Sequence, residues 1–199
     1  MADRHFALET LIGPSSEPFT IAEAKSHLRV DESADDTLID TLITAARVRA
    51  ENDLNRALIT TTFELHLDAF PDNDSPGIVV PSAPLQSVAS IKYTDTSGDV
   101  QTWDSSKYRV DSKSQPGRIT PTFDESWPAA QCVTGAVVVR FVAGYGDQST
   151  NVPRDILQAM LMLIGHWYEN RESVVIGTIT GSVPQAYDWL IAPHRVLEF

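Results

Sequence analysis

Apolar positions recur at two different periods along this chain, and the changes from one to the other and back divide it into segments. Between Val152 and Glu172 the pattern is helical: Ile156, Met160, Leu163, Ile164 and Trp167 form one stripe, and Leu157, Leu161 and Tyr168 widen it onto a second face. Pro153 suits a first helical position, and Asp155 puts a carboxylate where the helix dipole favours it. This is the most apolar segment of the chain and is expected to be the central helix, over about 153–171. Two more helices are expected upstream. Thr20 and Glu23 form a capping box, with Phe19 placed to staple against Ala24, and Ile21, Ala24 and Leu28 supply the stripe of a helix over 20–29. Ser33 with Asp36 marks a second start, and Ile39, Ile43, Ala46, Ala50 and Leu54 carry that helix over 34–54.

From Ile59 the period falls to two. Phe63, Leu65 and Leu67 alternate with Glu64, His66 and Asp68, as in a half-buried strand. Further short strands are expected at 77–80, 88–94, 100–103, 108–110 and 136–142, separated by prolines. Residues 94–99 read as a hairpin in which Gly98 can take positive φ. The expected fold class is α+β: a small helical core of three main helices, interrupted by an antiparallel β insert, with an extended C-terminal tail. The segments are an irregular N-terminal arm (1–18), a first stretch of the helical core (19–56), the β insert (57–150), a second stretch of the helical core that holds the central helix (151–172) and the tail (173–199). A soluble chain rarely ends on a run as apolar as Tyr187, Trp189, Leu190, Ile191 and Val196. Such an end must be covered by its own domain or by a partner.

Charge narrows the function. The net charge is -12, and acids outnumber bases in every segment, so no basic patch is available to displace counterions from a nucleic acid. The single cysteine, Cys132, excludes an intramolecular disulfide and a cysteine-based zinc site and fits a reducing compartment. The N-terminus lacks the basic and then apolar pattern of a signal peptide, and the central helix is too short and too flanked by charge to span a bilayer. The expectation is therefore no membrane association.

Candidate chemistry is sparse. His166 and Glu169 have the i, i+3 spacing of two ligands on one helix face, but no second pair exists to complete a site. Asp31, Glu32, Asp35 and Asp36 fail as a calcium loop, because the turn position would be Asp36 instead of Gly and the last ligand Leu42 instead of Glu. No G-x-S-x-G is present. Gly144-Tyr145-Gly146 lacks the remaining phosphate-loop residues and reads as a strand-ending turn. No catalytic residue, metal ligand or cofactor is expected. Tyr93, Trp103, Tyr108 and Trp127 could line a sugar groove or belong to a core. A carbohydrate-binding or enzymatic module using the aromatic β insert is accordingly the alternative function.

Several stretches, taken in order, carry a resemblance: F-T-I-A-E-A-K-S-H-L-R-V-D at 19–31, N-R-A-L-I-T-T-T-F-E-L at 55–65, P-L-Q-S-V-A-S-I-K-Y at 84–93, Y-R-V-D at 108–111, V-V-R-F-V-A-G-Y-G at 138–146, the central helix at 152–172 and L-I-A-P-H-R-V at 190–196. Together they resemble the head-tail connector, or adaptor, proteins of long-tailed bacteriophages and of gene transfer agents. The resemblance implies a viral structural protein, assembled in the bacterial cytoplasm into a homo-oligomeric ring, commonly twelve subunits, at the head-tail junction of a virion or phage-like particle. Its implied partners are the portal protein and a tail-side completion or stopper protein, with DNA passing through the lumen without being specifically bound. On this basis Tyr187, Trp189, Leu190 and Ile191 are expected to anchor on the portal, with Arg195 meeting a carboxylate there. Residues 174–199 would then be ordered only on docking. The competing reading is that they fold back as core. Asp40, Arg47, Arg49 and Glu51 are expected at the interface between subunits.

Overall fold

A computed structural model describes residues 6–72, 77–170 and 185–196. It is an α+β protein made of two compact units, residues 1–14 with 60–144 and residues 15–59 with 145–199.

The β unit holds two antiparallel sheets among the described residues. In the first, β1 (Phe6–Ile12), β2 (Thr61–Leu67), β8 (Val137–Ala143), β4 (Leu85–Thr94) and β5 (Val100–Trp103) lie in that spatial order; in the second, β7 (Gly117–Pro121) lies between β3 (Ile78–Val80) and β6 (Tyr108–Asp111). Alternation decides which face is inside. Phe63 and Leu65 of β2 stand opposite Phe141 and Val139 of β8, all buried, while Glu64 and His66 point to the other face. Gly98 takes φ 91 in the β4–β5 hairpin. Gly117 lies so close to β4 that a Cβ there would come within 2.6 Å of Leu85 Cδ2.

Two strands depart from the sequence expectation. β1 lies inside the arm expected to be irregular, since every one of its residues is exposed and no burial alternation marks it; pairing with β2 makes it a strand. β7 escapes notice because Pro116 and Pro121 bracket it, and its middle residue, Ile119, is fully buried. The insert expected over 57–150 thus corresponds to a compact unit over 60–144 that also takes in the N-terminal strand.

The helical unit is built on α1 (Ile21–Leu28), α2 (Asp36–Leu54), α3 (Arg154–Glu169) and α4 (Gln185–Ile191). Both halves of the Thr20–Glu23 capping box are formed. At α2 the cap is Asp35 instead of Ser33, and at α3 Pro153 sits at the cap, one residue outside the helix. Ile39, Ile43, Ala46, Ala50 and Leu54 of α2 meet Ile156, Ala159, Met160, Leu163 and Ile164 of α3 in one cluster, with Leu157, Leu161, Trp167 and Tyr168 packed at its margin. Small residues at Ala46, Ala50 and Ala159 let the helices approach closely.

The terminal segment departs from the extended tail. Residues 171–184, which include the Gly-punctuated stretch Val174–Pro184, lie outside the described residues, but Gln185–Ile191 is helical. Tyr187 and Ile191 belong to the same core cluster as α2 and α3.

Candidate functional site

The end of α2 is where the terminal segment is fastened. Asn55 ends that helix at φ 53, and residues 54–56 lie beside residues 194–196. Val196 N–H donates to the Leu54 carbonyl at 2.9 Å, Asn55 Nδ2 donates to the Val196 carbonyl at 3.0 Å, and Arg56 Nε donates to the His194 carbonyl. Arg56 also stands over the Tyr145 ring, 5.7 Å from its centroid.

Side chains add charge to this attachment. The fully buried Tyr187 donates its hydroxyl to Asp53 Oδ2 at 2.8 Å, and Arg49 Nε donates to the same oxygen at 2.7 Å. Burial, reinforced by the Asp53 carboxylate, pushes the Tyr187 hydroxyl well above the usual tyrosine range, so it stays a donor. His194 Nε2 meets Asp155 Oδ2 in the first turn of α3. Burial pushes the Asp155 carboxyl up, but the hydrogen bonds from His194 and from the Ile156 N–H outweigh it and hold the group below the ordinary carboxylate range. Sequence reasoning assigned Asp155 to the helix dipole and Asp53 to the solvated face of its helix, and gave His194 no role. The Tyr187–Asp53 and His194–Asp155 bonds each span more than 35 residues, and no local signal marks them.

The five expected partner-binding residues therefore separate. Tyr187 and Ile191, four residues apart, face the core. Trp189 lies on the opposite side of the same two turns and is 75% exposed, a high value for a Trp. Leu190 is half-buried at the core margin, and Arg195 is exposed, paired with Asp188 at 3.0 Å. What remains outward is one large aromatic, Trp189, next in sequence to the acid of the Asp188–Arg195 pair.

The four residues expected between subunits separate in the same way. Arg47 is held inside the helical unit, donating to Glu17 at 2.8 Å and to Glu51 at 2.8 Å. Burial pushes the Glu51 carboxyl up, against the Leu58 N–H and Arg47 that favour its charged form. Arg49 is exposed apart from its bond to Asp53, and Asp40 is exposed with no ion pair among the described residues.

The remaining candidates take ordinary positions. Phe70, Tyr93, Trp103, Tyr108 and Trp127 pack on one another in stacked, tilted and edge-on pairs at centroid distances of 5.1–6.0 Å, with Trp103 and Tyr108 buried, which makes them a core of the β unit instead of an open sugar groove. Gly144 and Gly146 have φ 129 and 150 in the turn after β8, and a Cβ on Gly146 would collide with Asn151. His166 is half-buried beside Asn170, and Cys132 is exposed. Among the described residues no helix is long and apolar enough to cross a membrane.

Comparison with known proteins bears on this arrangement. Residues 19–120 match the family described as Phage gp6-like head-tail connector protein. No curated protein sequence matches the chain. Among solved structures, the fold is similar to a chain of the neck of an empty GTA particle computed with C6 symmetry, at 23% identity and a TM-score of 0.78, covering 97% of each chain. It is also similar to a chain from the virion of a native gene transfer agent particle, at 22% identity and 0.77 over 96% of each chain. A third similarity is to a chain of the neck of a native GTA particle computed with C12 symmetry, at 21% and 0.67 over 97% of each.

Proposed function

The chain belongs to the phage gp6-like head-tail connector family, and on that premise we propose that it acts as the ring-forming adaptor between a capsid portal and the tail-side completion protein of a phage or gene transfer agent particle. Its role is that of a structural connector, and it is not an enzyme. The observation that carries the finer reading is the outward Trp189 on a helix otherwise fastened to its own core: an exposed indole next in sequence to Asp188, which is paired with Arg195, has the composition of an interface anchor. Fixing α4 before docking lowers the ordering cost that a free tail would meet on binding.

A ring requires two different complementary faces on each copy, because contacts that repeat head to tail are heterologous. Asp40 and Arg49, exposed on opposite flanks of α2, offer opposite charges to two different neighbours, although Arg49 also holds Asp53, whereas Arg47 and Glu51 are already satisfied within the subunit. The support for a ring is the likeness in fold to chains of GTA particle necks computed with C12 and C6 symmetry. A net charge of -12 suits a lumen that DNA crosses without adsorbing.

Native mass spectrometry of the chain, alone and mixed with the portal protein, tests this. Closed oligomers and a portal complex are expected, and Trp189→Ala should weaken portal binding by about 2 kcal/mol, roughly 30-fold, at unchanged melting temperature. A chain that stays monomeric at high concentration and ignores the portal overturns the reading.

A further inference from the structure

On the polar face of the five-stranded sheet three donors converge. Glu64 and His66, two residues apart on β2, share that face, and Glu9 of β1 stands directly opposite Glu64. His66 Nε2 lies 3.7 Å from Glu9 Oε2 and 3.9 Å from Glu64 Oε2, and one ligand atom from each of the three residues falls within 4.8 Å of the others. These separations are too long for hydrogen bonds. The imidazole as a whole is 30% exposed, yet Nε2 itself is screened from solvent and has no hydrogen-bond partner. A screened ring nitrogen between two carboxylate oxygens, none of them bonded to another, is an arrangement that a cation would complete.

The surroundings fit a ligand set. Arg140 on β8 donates from Nε and Nη2 to Glu64 Oε1 at 2.9 and 2.6 Å, which occupies that oxygen and turns Oε2 toward His66. Carboxylate ligands are commonly oriented by such an outer hydrogen bond. Donors on a tetrahedral divalent ion bonded at about 2.0–2.2 Å lie roughly 3.3–3.6 Å apart. Closing the two gaps to His66 takes a few tenths of an ångström; the two carboxylate oxygens, within 4.8 Å of each other, have further to come, and Glu9, 67% exposed on an edge strand, is free to supply the movement.

We propose that Glu9, Glu64 and His66 bind one divalent transition cation of the zinc type, leaving a coordination position to water, and that the ion ties the edge strand β1 to β2. One nitrogen and two carboxylate oxygens suit zinc and its neighbours in the first transition row. The site goes beyond the connector role and does not depend on it.

The full chain, stripped with a chelator, is titrated with zinc chloride by calorimetry, and with cobalt(II), whose visible absorption reports an ordered site. One equivalent should bind, and His66→Ala and Glu9→Gln should each weaken binding at least about ten-fold and abolish the cobalt bands, while His166→Ala leaves both unchanged. Glu9→Gln sits on the exposed edge and keeps the test valid if His66→Ala fails to fold. Zinc uptake that is the same in parent, His66→Ala and Glu9→Gln, meaning an adventitious ion only, overturns the proposal, as does the absence of binding in the parent.

Discussion

Replacing Tyr187 separates the two roles that the terminal segment could have. Its ring is fully buried in the cluster shared by α2 and α3, and its hydroxyl donates to Asp53. In Tyr187→Phe only the hydroxyl is lost; Asp53 keeps its bond to Arg49, so no carboxylate is left unpaired. A hydrogen bond to a charged group is worth about 1.5 kcal/mol at the low end, which applies here because Asp53 is partly solvated. For a chain of this size that is a fall in melting temperature of roughly 3–6 °C. Tyr187→Ala also empties the ring's volume, at a cost of about 3–5 kcal/mol. The combined loss, about 5 kcal/mol, is a large fraction of the 5–15 kcal/mol typical of a folded domain and corresponds to a fall of roughly 10–20 °C. Trp189→Ala, two residues on and exposed, should stay within about 0.5 kcal/mol of the parent. Thermal melts followed by circular dichroism rank the three, and a chain stopped after Glu172 should melt at least as early as Tyr187→Ala. If Tyr187→Ala melts within about 2 °C of the parent, the segment is not core and the assignment of α4 to the helical unit fails.

Two other outcomes are expected. Gly77 has φ 101, and a Cβ there would come within 2.3 Å of the Ile119 carbonyl oxygen, so Gly77→Ala should destabilise the β unit by about 2 kcal/mol or more, whereas Gly98→Asn, at φ 91 with open space around it, should cost under about 1 kcal/mol; urea midpoints compare them. Because the Asp155 carboxyl is held below its ordinary value in the folded chain, the stability it contributes is present above the unfolded value of about 3.9 and is lost as pH falls through the folded one. The gap in urea midpoint between parent and Asp155→Asn should therefore shrink as pH is lowered from about 5 to 2, and a constant gap refutes the assignment.

Much of the fold is legible in the residues because it rests on local rules. Thr20 and Glu23 announce α1, the three-and-four spacing from Ile39 to Leu54 and from Ile156 to Ile164 announces α2 and α3, and alternation at Phe63, Leu65 and Leu67 announces β2. The absence of a catalytic motif and the acidic balance pointed toward a connector, and the ordered motifs from Phe19 onward carried the family. What the residues alone left undecided is long-range. β1 has no burial pattern of its own, so only β2 makes it a strand, and that pairing is also what brings Glu9 to Glu64 and His66. The end of the chain looked the same whether it covered its own core or a partner's surface, since hydrophobicity measures the need for cover and carries no address. Geometry supplies the address: the helical period turns Tyr187 and Ile191 inward and Trp189 outward, and Asp53, distant in sequence, is there to receive the Tyr187 hydroxyl.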